Sequence, residues 1–273
     1  MLEEIVRNAP VFLLVAARSF ACIMSLPLFS SRTVPRKAKV ALAGYIAYFA
    51  FPQLSLESGT YAAYASFISE SGGFSADYIF LLIGEALIGL VIGFSVTLIF
   101  AAFSTAGQFF AFQMGFSASE VYDSMSEVEN PLMGEYLNFI AMLMFLRAGG
   151  FLELFTDGLL ASYRSLNVFS IIGHRDELLS FMLSGLTKLF QNALVIALPL
   201  MGTLFLINVC MGILAKAAPQ MNLLAEGFPI LILTSFMLLF LLLPQLCELF
   251  LGSFRTGFLG LQQLFVRLGG RIQ

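Results

Sequence analysis

Two ionisable side chains lie deep within apolar sequence and are the strongest candidates for chemistry in this chain. Arg18 has ten uncharged residues before it and thirteen after it, and Glu85 is followed by thirty-four uncharged residues. A charge so placed faces a protein partner or a water-filled space, although snorkelling to the lipid headgroups is the alternative. A proton relay needs several neighbouring titratable groups, whereas Glu85 stands alone in its run. We therefore expect buried structural roles for both residues.

Known sequence motifs for enzymatic or metal chemistry are missing from the sequence. It has no P-loop, GxSxG, HExxH or Rossmann fingerprint and no cluster at metal-ligand spacing. His174 is the only histidine and lies in a polar stretch, which favours a solvated loop. The three cysteines, Cys22, Cys210 and Cys247, are far apart and form no CxxC motif. We therefore interpret them as small buried hydrophobic residues. The sequence therefore predicts no enzyme, no cofactor and no bound metal.

A polar corner interrupts the apolar sequence between two long runs. Lys216, Gln220 and Asn222 supply polar groups there, and Pro219 ends helical structure because it lacks a backbone N–H. The stretch Gly227–Pro229 follows. At membrane depth such a corner persists only where protein or water satisfies its freed backbone groups. We interpret it as a functional or assembly element.

Composition assigns the chain to the integral membrane proteins. Hydrophobic residues make up 59% of its 273 positions, charged residues 11%, and the mean hydropathy is +0.91. Soluble domains carry about a quarter charged residues, so the excess apolar surface must face lipid or partner subunits. The net charge of −3 gives no electrostatic footprint for nucleic acid, whose binding requires a basic face. The sequence predicts one continuous domain with its first apolar segment retained.

Charge patterning conflicts with a simple count of six membrane spans. The basic loop 32–39 is typical of the cytoplasmic side, while the acidic intervals 55–77 and 116–135 suggest the opposite side. A single span over 78–115 would place the two acidic intervals on opposite faces. Either the positive-inside rule, by which basic loops lie on the cytoplasmic side, fails for one of the two acidic intervals, or 78–115 folds back as a hairpin. Several apolar segments could also be buried in a protein assembly instead of lipid.

Small residues on the Glu85 helix predict close packing. Gly89 and Gly93 follow Glu85 at four-residue intervals, which places all three on one helix face and lets another helix approach.

The acidic stretch 116–131 keeps apolar side chains, so both a packed loop and an ordinary surface loop stay open. The tail with Arg255, Arg267 and Arg271 is amphipathic and predicts a helix at a membrane surface.

These motifs, in this order, resemble the FliR family of flagellar export-gate proteins and the related SctT proteins of virulence type III secretion. The resemblance covers nearly the whole chain. It is carried by Arg18, Pro27–Phe29, Val34–Pro35, Glu85, Gly89, Gly93, Gly107–Gln108, Phe112–Gly115, Asn138, Phe145, Pro199, Asn208, Gly212, Ala217–Asn222 and Gly227–Pro229. Ser124, Phe151 and Ile230–Leu231 depart from the family pattern.

The resemblance implies an all-α membrane subunit of bent helical hairpins, with residues 1–180 FliP-like and 181–273 FliQ-like. It implies a ring with FliP-like and FliQ-like subunits in the bacterial inner membrane, an FlhB-like neighbour, distal rod components and unfolded export substrates. The family's pore plug maps to Gly115, Phe116, Tyr122, Asp123 and Met125. The remaining family positions are interpreted as assembly residues: Arg18, Glu85, Gly89, Gly93, Gln108, Gln113, Asn208, Lys216, Pro219, Gln220 and Asn222.

The implied function is pore formation and gating in flagellar protein export, with the SctT role as the alternative. A stand-alone secondary transporter is a further alternative. It would require inverted repeats and a cluster of polar residues at the membrane midplane, and neither is visible in the sequence.

Overall fold

Helices account for nearly all of the described chain. The computed structural model describes residues 2–30, 34–54, 59–64, 67, 75–115, 132–218 and 223–269. No strand occurs among these residues, which confirms the predicted all-α class.

Among the described residues, seven short helices occupy the first half and the middle of the chain. They are α1 (Leu2–Arg7), α2 (Ala9–Ser25), α3 (Pro27–Ser30), α4 (Arg36–Ala50), α6 (Leu132–Arg147), α7 (Gly150–Ser165) and α8 (Val168–Gly173). Two 3₁₀ turns, Phe51–Gln53 and Thr60–Tyr64, follow α4. Within α7 the stretch Leu154–Leu160 is wound as a π-helix.

Three helices are much longer than a bilayer requires. They are α5 (Ala76–Met114), α9 (Arg175–Ala217) and α10 (Leu223–Gly269). At 1.5 Å per residue, the 39 residues of α5 extend about 58 Å, against about 30 Å of hydrocarbon. The hairpin alternative for 78–115 is wrong, because α5 is continuous. The two acidic intervals therefore leave opposite ends of one helix.

The described residues contain fewer membrane-crossing helices than the six counted from sequence. Only α5, α9 and the part of α10 from Glu226 are long and apolar enough to cross a bilayer. The pair α6 and α7, bent by 73°, would make a fourth span if it counts as one broken span. Helix α2 is apolar but short.

The predicted polar corner coincides with the boundary between α9 and α10. Helix α9 ends at Ala217 and α10 begins at Leu223. Pro219 itself lies outside the described residues, so its helix-breaking effect stays a prediction. Pro229 does not extend the break, because it lies inside α10 together with Pro244. The helix predicted for the C-terminal tail is confirmed as the last part of α10 for Arg255 and for Arg267, which lies in its final turn. Arg271 lies outside the described residues, and the location at a membrane surface stays a prediction.

The chain divides into two compact units, each discontinuous in sequence. Unit 1 comprises Met1–Leu98, Gly149–Gly185 and Arg255–Gln273. Unit 2 comprises Ile99–Ala148 and Leu186–Phe254. The predicted division near residue 180 does not concern compact units. It concerns which part of the chain resembles a FliP subunit and which part resembles a FliQ subunit, and it stays a prediction.

Aromatic packing and a close helix contact hold unit 2 together. Its core contains a chain of phenylalanine rings with centroids 5.0–5.6 Å apart, mostly in edge contact: Phe100, Phe103, Phe145, Phe250 and Phe254. Helices α5 and α6 meet where a Cβ on Gly107 would lie 2.6 Å from the Cα of Gly134. Only a glycine at position 107 allows the two backbones to approach so closely.

We expect Gly107→Ala to destabilise the protein by about 1–3 kcal/mol, because the added methyl group overlaps backbone that cannot move aside. Thermal unfolding of the purified full-length protein in detergent measures the effect. Gly202→Ala is the matched control, since nothing lies within 4 Å of a Cβ at this helical position. That control should be neutral or slightly stabilising. Equal melting temperatures for the two variants would contradict the packing argument.

Candidate functional site: a buried arginine and glutamate cluster

Arg18 and Glu85 form an ion pair in the interior of unit 1. Arg18 Nε donates to Glu85 Oε2 at 2.7 Å, and Arg18 Nη2 donates to Glu85 Oε1 at 2.9 Å. Both side chains are completely buried. The guanidinium and the carboxylate therefore meet in the bidentate arrangement that gives strong, directional hydrogen bonds.

A stripe of small residues on α5 allows this pair to form. One turn after Glu85, a Cβ on Gly89 would overlap the backbone oxygen of Arg18. One turn further, a Cβ on Gly93 would overlap Ser25 Oγ. After another turn, Thr97 Oγ1 donates to the Ser25 backbone oxygen at 2.7 Å. The four-residue spacing thus lays one face of α5 directly along the backbone of α2.

Two tyrosines of the 3₁₀ turn Thr60–Tyr64 complete the surroundings of Glu85. The Tyr61 hydroxyl donates to Oε2 at 3.0 Å, and the Tyr64 hydroxyl donates to Oε1 at 2.7 Å. Each carboxylate oxygen therefore accepts two hydrogen bonds. Burial raises the pKa of Tyr61 and of Tyr64, so both phenols stay protonated and remain donors.

The other donors of Arg18 bind the end of α7. Arg18 Nη1 donates to Ser162 Oγ at 3.1 Å, and Nη2 donates to the Leu166 backbone oxygen at 3.1 Å. The guanidinium carbon lies 4.8 Å from the centre of the Tyr163 ring, within the range of a cation–π contact. Arg18 therefore joins α2 to α7 as well as to α5.

Tyr163 provides a second link between α7 and α2. Its hydroxyl donates to the Val15 backbone oxygen at 2.9 Å and shares a 2.7 Å hydrogen bond with Ser19 Oγ. The π-helical stretch of α7 ends just before Ser162 and Tyr163, so both side chains follow directly from it. The buried cluster, defined as Arg18, Glu85, Tyr61, Tyr64, Ser162 and Tyr163, thus ties together α2, the Thr60–Tyr64 turn, α5 and α7.

This arrangement is suited to holding structure. The oxygens of Glu85 are fully used as acceptors, and the pair is closed to solvent. No group of three or more metal-ligating side chains occurs in the part of the chain that the structure describes. Because removing two charges from water is costly, a buried ion pair stabilises a fold little more than apolar side chains of the same size would. Loss of one partner, however, leaves a buried charge unpaired and is severely destabilising.

The sequence identified part of this cluster and missed the rest. Arg18, Glu85, Gly89 and Gly93, singled out from spacing alone, lie together in the structure, and their role in assembly stays a prediction. The sequence analysis missed four members: Tyr61, Tyr64, Ser162 and Tyr163. Tyr61 and Tyr64 were available as an aromatic pair three residues apart in an otherwise polar interval. No pattern in the sequence marks the other two.

The remaining predicted site residues do not join the buried cluster. Gln108 and Lys216 are exposed, and Gln113 and Asn208 are half-buried. All four belong to unit 2. Seven predicted residues lie outside the described residues, so their plug and corner roles stay predictions: Phe116, Tyr122, Asp123, Met125, Pro219, Gln220 and Asn222.

Gly115 joins two of the predicted motifs within unit 2. It has φ of +84° directly after α5, a left-handed conformation that favours glycine. A Cβ at this position would also lie 2.5 Å from the ring of Phe228. The start of the predicted plug segment therefore contacts the Gly227–Pro229 stretch through a residue that must be glycine.

Removing one member of the buried pair should be far worse than replacing both. We expect Glu85→Ala or Arg18→Ala alone to cost about 3–5 kcal/mol, because each leaves an unpaired buried charge. Arg18→Met combined with Glu85→Leu should cost less than either single change. Thermal unfolding and the yield of folded full-length protein in detergent measure this. Glu177→Ala, at an exposed carboxylate, is the control and should be unchanged. A wild-type melting temperature for Glu85→Ala would contradict a structural role for the cluster.

Comparison with known proteins identifies related chains over most of this sequence. The family described as "Bacterial export proteins, family 1" matches residues 9–257. The flagellar biosynthetic protein FliR of Bacillus subtilis is 30% identical over 243 residues, covering 87% of this chain and 88% of the relative. FliR of Pectobacterium carotovorum is 33% identical over 230 residues, covering 83% and 82%. The surface presentation of antigens protein SpaR of Shigella flexneri is 29% identical over 162 residues, covering 59% and 62%.

Proposed function

The chain belongs to the bacterial export proteins, family 1, and from that premise we propose that it is a pore-forming structural and gating subunit of the flagellar protein export apparatus. The observation that carries this proposal is similarity to flagellar FliR proteins across more than four-fifths of both chains. The SpaR protein supports the alternative, a virulence secretion subunit, over a smaller part of the chain.

The surface of the long helices supports a role in assembly. In the apolar 18-residue segment of α9 that could cross a membrane, only 22% is buried within the chain, and the same share is buried in the corresponding segment of α10. Large apolar side chains on these helices are therefore exposed in the single chain. In a membrane complex such faces pack against lipid or neighbouring subunits.

The partners and location follow from the same proposal. We expect FliP-like and FliQ-like subunits around a shared channel, an FlhB-like subunit nearby, rod components at the distal end and unfolded proteins as cargo. The location would be the bacterial inner membrane within the flagellar basal body. In this arrangement residues 1–180 take a FliP-like place and residues 181–273 a FliQ-like place.

The buried cluster has a specific task in this role. It holds the α2–α5–α7 part of unit 1 rigid through an ion pair that cannot slide without losing several hydrogen bonds. A rigid unit is what a ring subunit must present to its neighbours. The segment after Gly115 acts as the pore plug, with Gly115 as its fixed end against Phe228.

Deletion of the gene should abolish motility and flagellar filaments and leave other secretion intact. Plasmid-borne wild type should restore swimming, whereas Glu85→Ala should fail to do so because its folded population falls. Soft-agar swimming and electron microscopy of filaments measure this outcome. Loss of effector secretion with normal motility would favour the virulence alternative instead.

Co-expression with the FliP-like and FliQ-like proteins of the same organism should yield one stable complex in detergent. The exposed apolar faces of α9 and α10 provide the physical reason. Size-exclusion chromatography with mass spectrometry identifies the components. A chain that purifies by itself as a functional monomer would contradict the assembly proposal.

Deleting residues 117–129 should raise small-ion leakage through the assembled complex, because the plug would no longer fill the closed pore. Conductance across cell membranes or in planar bilayers measures the leak. The wild-type complex at equal copy number is the control, since leakage scales with the number of channels. Unchanged conductance would refute the plug role and leave the assembly role standing.

A further inference from the structure

Helix α7 changes its winding part of the way along its length. The stretch Leu154–Leu160 is π-helical, whereas the residues on either side of it within α7 are α-helical. At the end of the stretch, the Ala161 backbone N–H donates to the backbone oxygen of Thr156, five residues earlier. Such winding is rare in proteins and is frequently found at functional positions. Its presence in α7 therefore calls for a physical reason.

A row of buried positions recurs every fourth residue along α7. Gly150, Leu154, Gly158 and Ser162 are all buried. An α-helix has 3.6 residues per turn, so each step of four residues rotates the next position by about 40°. Three such steps add up to about 120°, which is more than the roughly 100° width of a typical buried helix face. An unbroken α-helix would therefore turn the end of this row away from its start.

The π-helical winding removes this rotation. A π-helix joins residue i to residue i+5 and has about 4.4 residues per turn, so four residues make slightly less than one turn. The stretch Leu154–Leu160 thus makes about the rotation that six residues make in an α-helix. A Cβ on Gly158 would lie 3.2 Å from Leu154 Cδ1, as expected for positions on one side. In effect, the stretch contains about one residue more than an α-helix of equal rotation.

Contacts within and after the stretch fix the rotation of α7. A Cβ on Gly158 would lie 3.5 Å from Ile92 Cγ2, so the stretch packs against α5. One turn later, Ser162 Oγ accepts a hydrogen bond from Arg18 Nη1 at 3.1 Å. The Tyr163 hydroxyl donates to a backbone oxygen of α2 from the next position. A rotation of about 100°, which is the share of one residue in an α-helix, would carry these two side chains out of the buried cluster.

We propose that the π-helical stretch is a register device of one extra residue, which positions Ser162 and Tyr163 on α2. Thr156 is the residue in excess. Of the seven residues in the stretch it is the exposed one, and its side chain donates only within α7, to the Leu152 backbone oxygen at 3.0 Å. The hydrogen bonds of the buried cluster then stabilise the rarer winding. The inference concerns the fold of unit 1 and does not depend on the export role.

Deleting one residue from the stretch tests the register directly. Without Thr156, α7 can be α-helical throughout and still present Ser162 to Arg18. We therefore expect this deletion to shift the melting temperature of the full-length protein in detergent by less than about 5 °C. Thr156→Ala removes the side chain but keeps the number of residues, and it should leave the melting temperature unchanged.

Deletion of Leu143 is the matched control. This residue is also exposed, but it lies in α6, which is a regular α-helix. Its loss would rotate Phe145 by about 100° relative to Gly134 and out of the phenylalanine core of unit 2. We expect the melting temperature to fall by more than about 10 °C, or no folded protein to be recovered.

A further variant tests whether α7 keeps its contact with α2 after the deletion. Ser162→Ala removes the partner of Arg18 Nη1 and should lower the melting temperature of the wild-type chain by several degrees. If the register is preserved, Ser162→Ala should lower the melting temperature of the chain without Thr156 by the same amount.

Two results would overturn the inference. One is a loss of folded protein on deletion of Thr156 that equals the loss on deletion of Leu143. The other is a stable deletion variant in which Ser162→Ala has no effect, because α7 would then have left the buried cluster. Swimming of cells that carry each variant reports separately on the proposed function, so the export role can fail while the register inference stands.

Discussion

The structure of unit 1 depends on one electrostatic constraint: a charge buried in apolar sequence must be paired and hydrogen-bonded. Arg18 and Glu85 satisfy each other at 2.7 and 2.9 Å, and their remaining hydrogen-bonding groups reach Tyr61, Tyr64 and Ser162. These bonds end on the Thr60–Tyr64 turn and on α7. Pairing the two charges therefore also sets the arrangement of α2, α5, α7 and the turn between α4 and α5.

Close helix packing makes this constraint possible to meet. Helices α2 and α5, which carry the guanidinium and the carboxylate, pack with very little space between them next to the ion pair. Gly89 and Gly93 supply that contact against the backbone of Arg18 and the side chain of Ser25. Unit 2 uses the same device at Gly107 and Gly134, where phenylalanine rings replace the ion pair as the core. Both units therefore depend on positions where a single methyl group would not fit.

Function in such a protein follows from surfaces rather than from reactive groups. The polar interior of unit 1 is closed and fully bonded, while much of α9 and α10 is apolar and exposed. An isolated soluble protein could not keep such faces in water. Their exposure indicates that lipid or other subunits complete the fold, as expected of the bacterial export proteins, family 1.

The sequence by itself determined the membrane class, the positions of the buried charges, and the close-packed stripe at Glu85, Gly89 and Gly93. These follow from composition and four-residue spacing, which are local properties. Tertiary structure alone decided that α5 is one continuous helix, because charge rules for loops do not report on backbone continuity. It also decided that Tyr61, Tyr64 and Ser162 form hydrogen bonds with the ion pair, because they lie 21 to 144 residues along the chain from the charges they contact. Distances along the chain of that size are bridged only by folding, so no local pattern shows that these residues bind the ion pair.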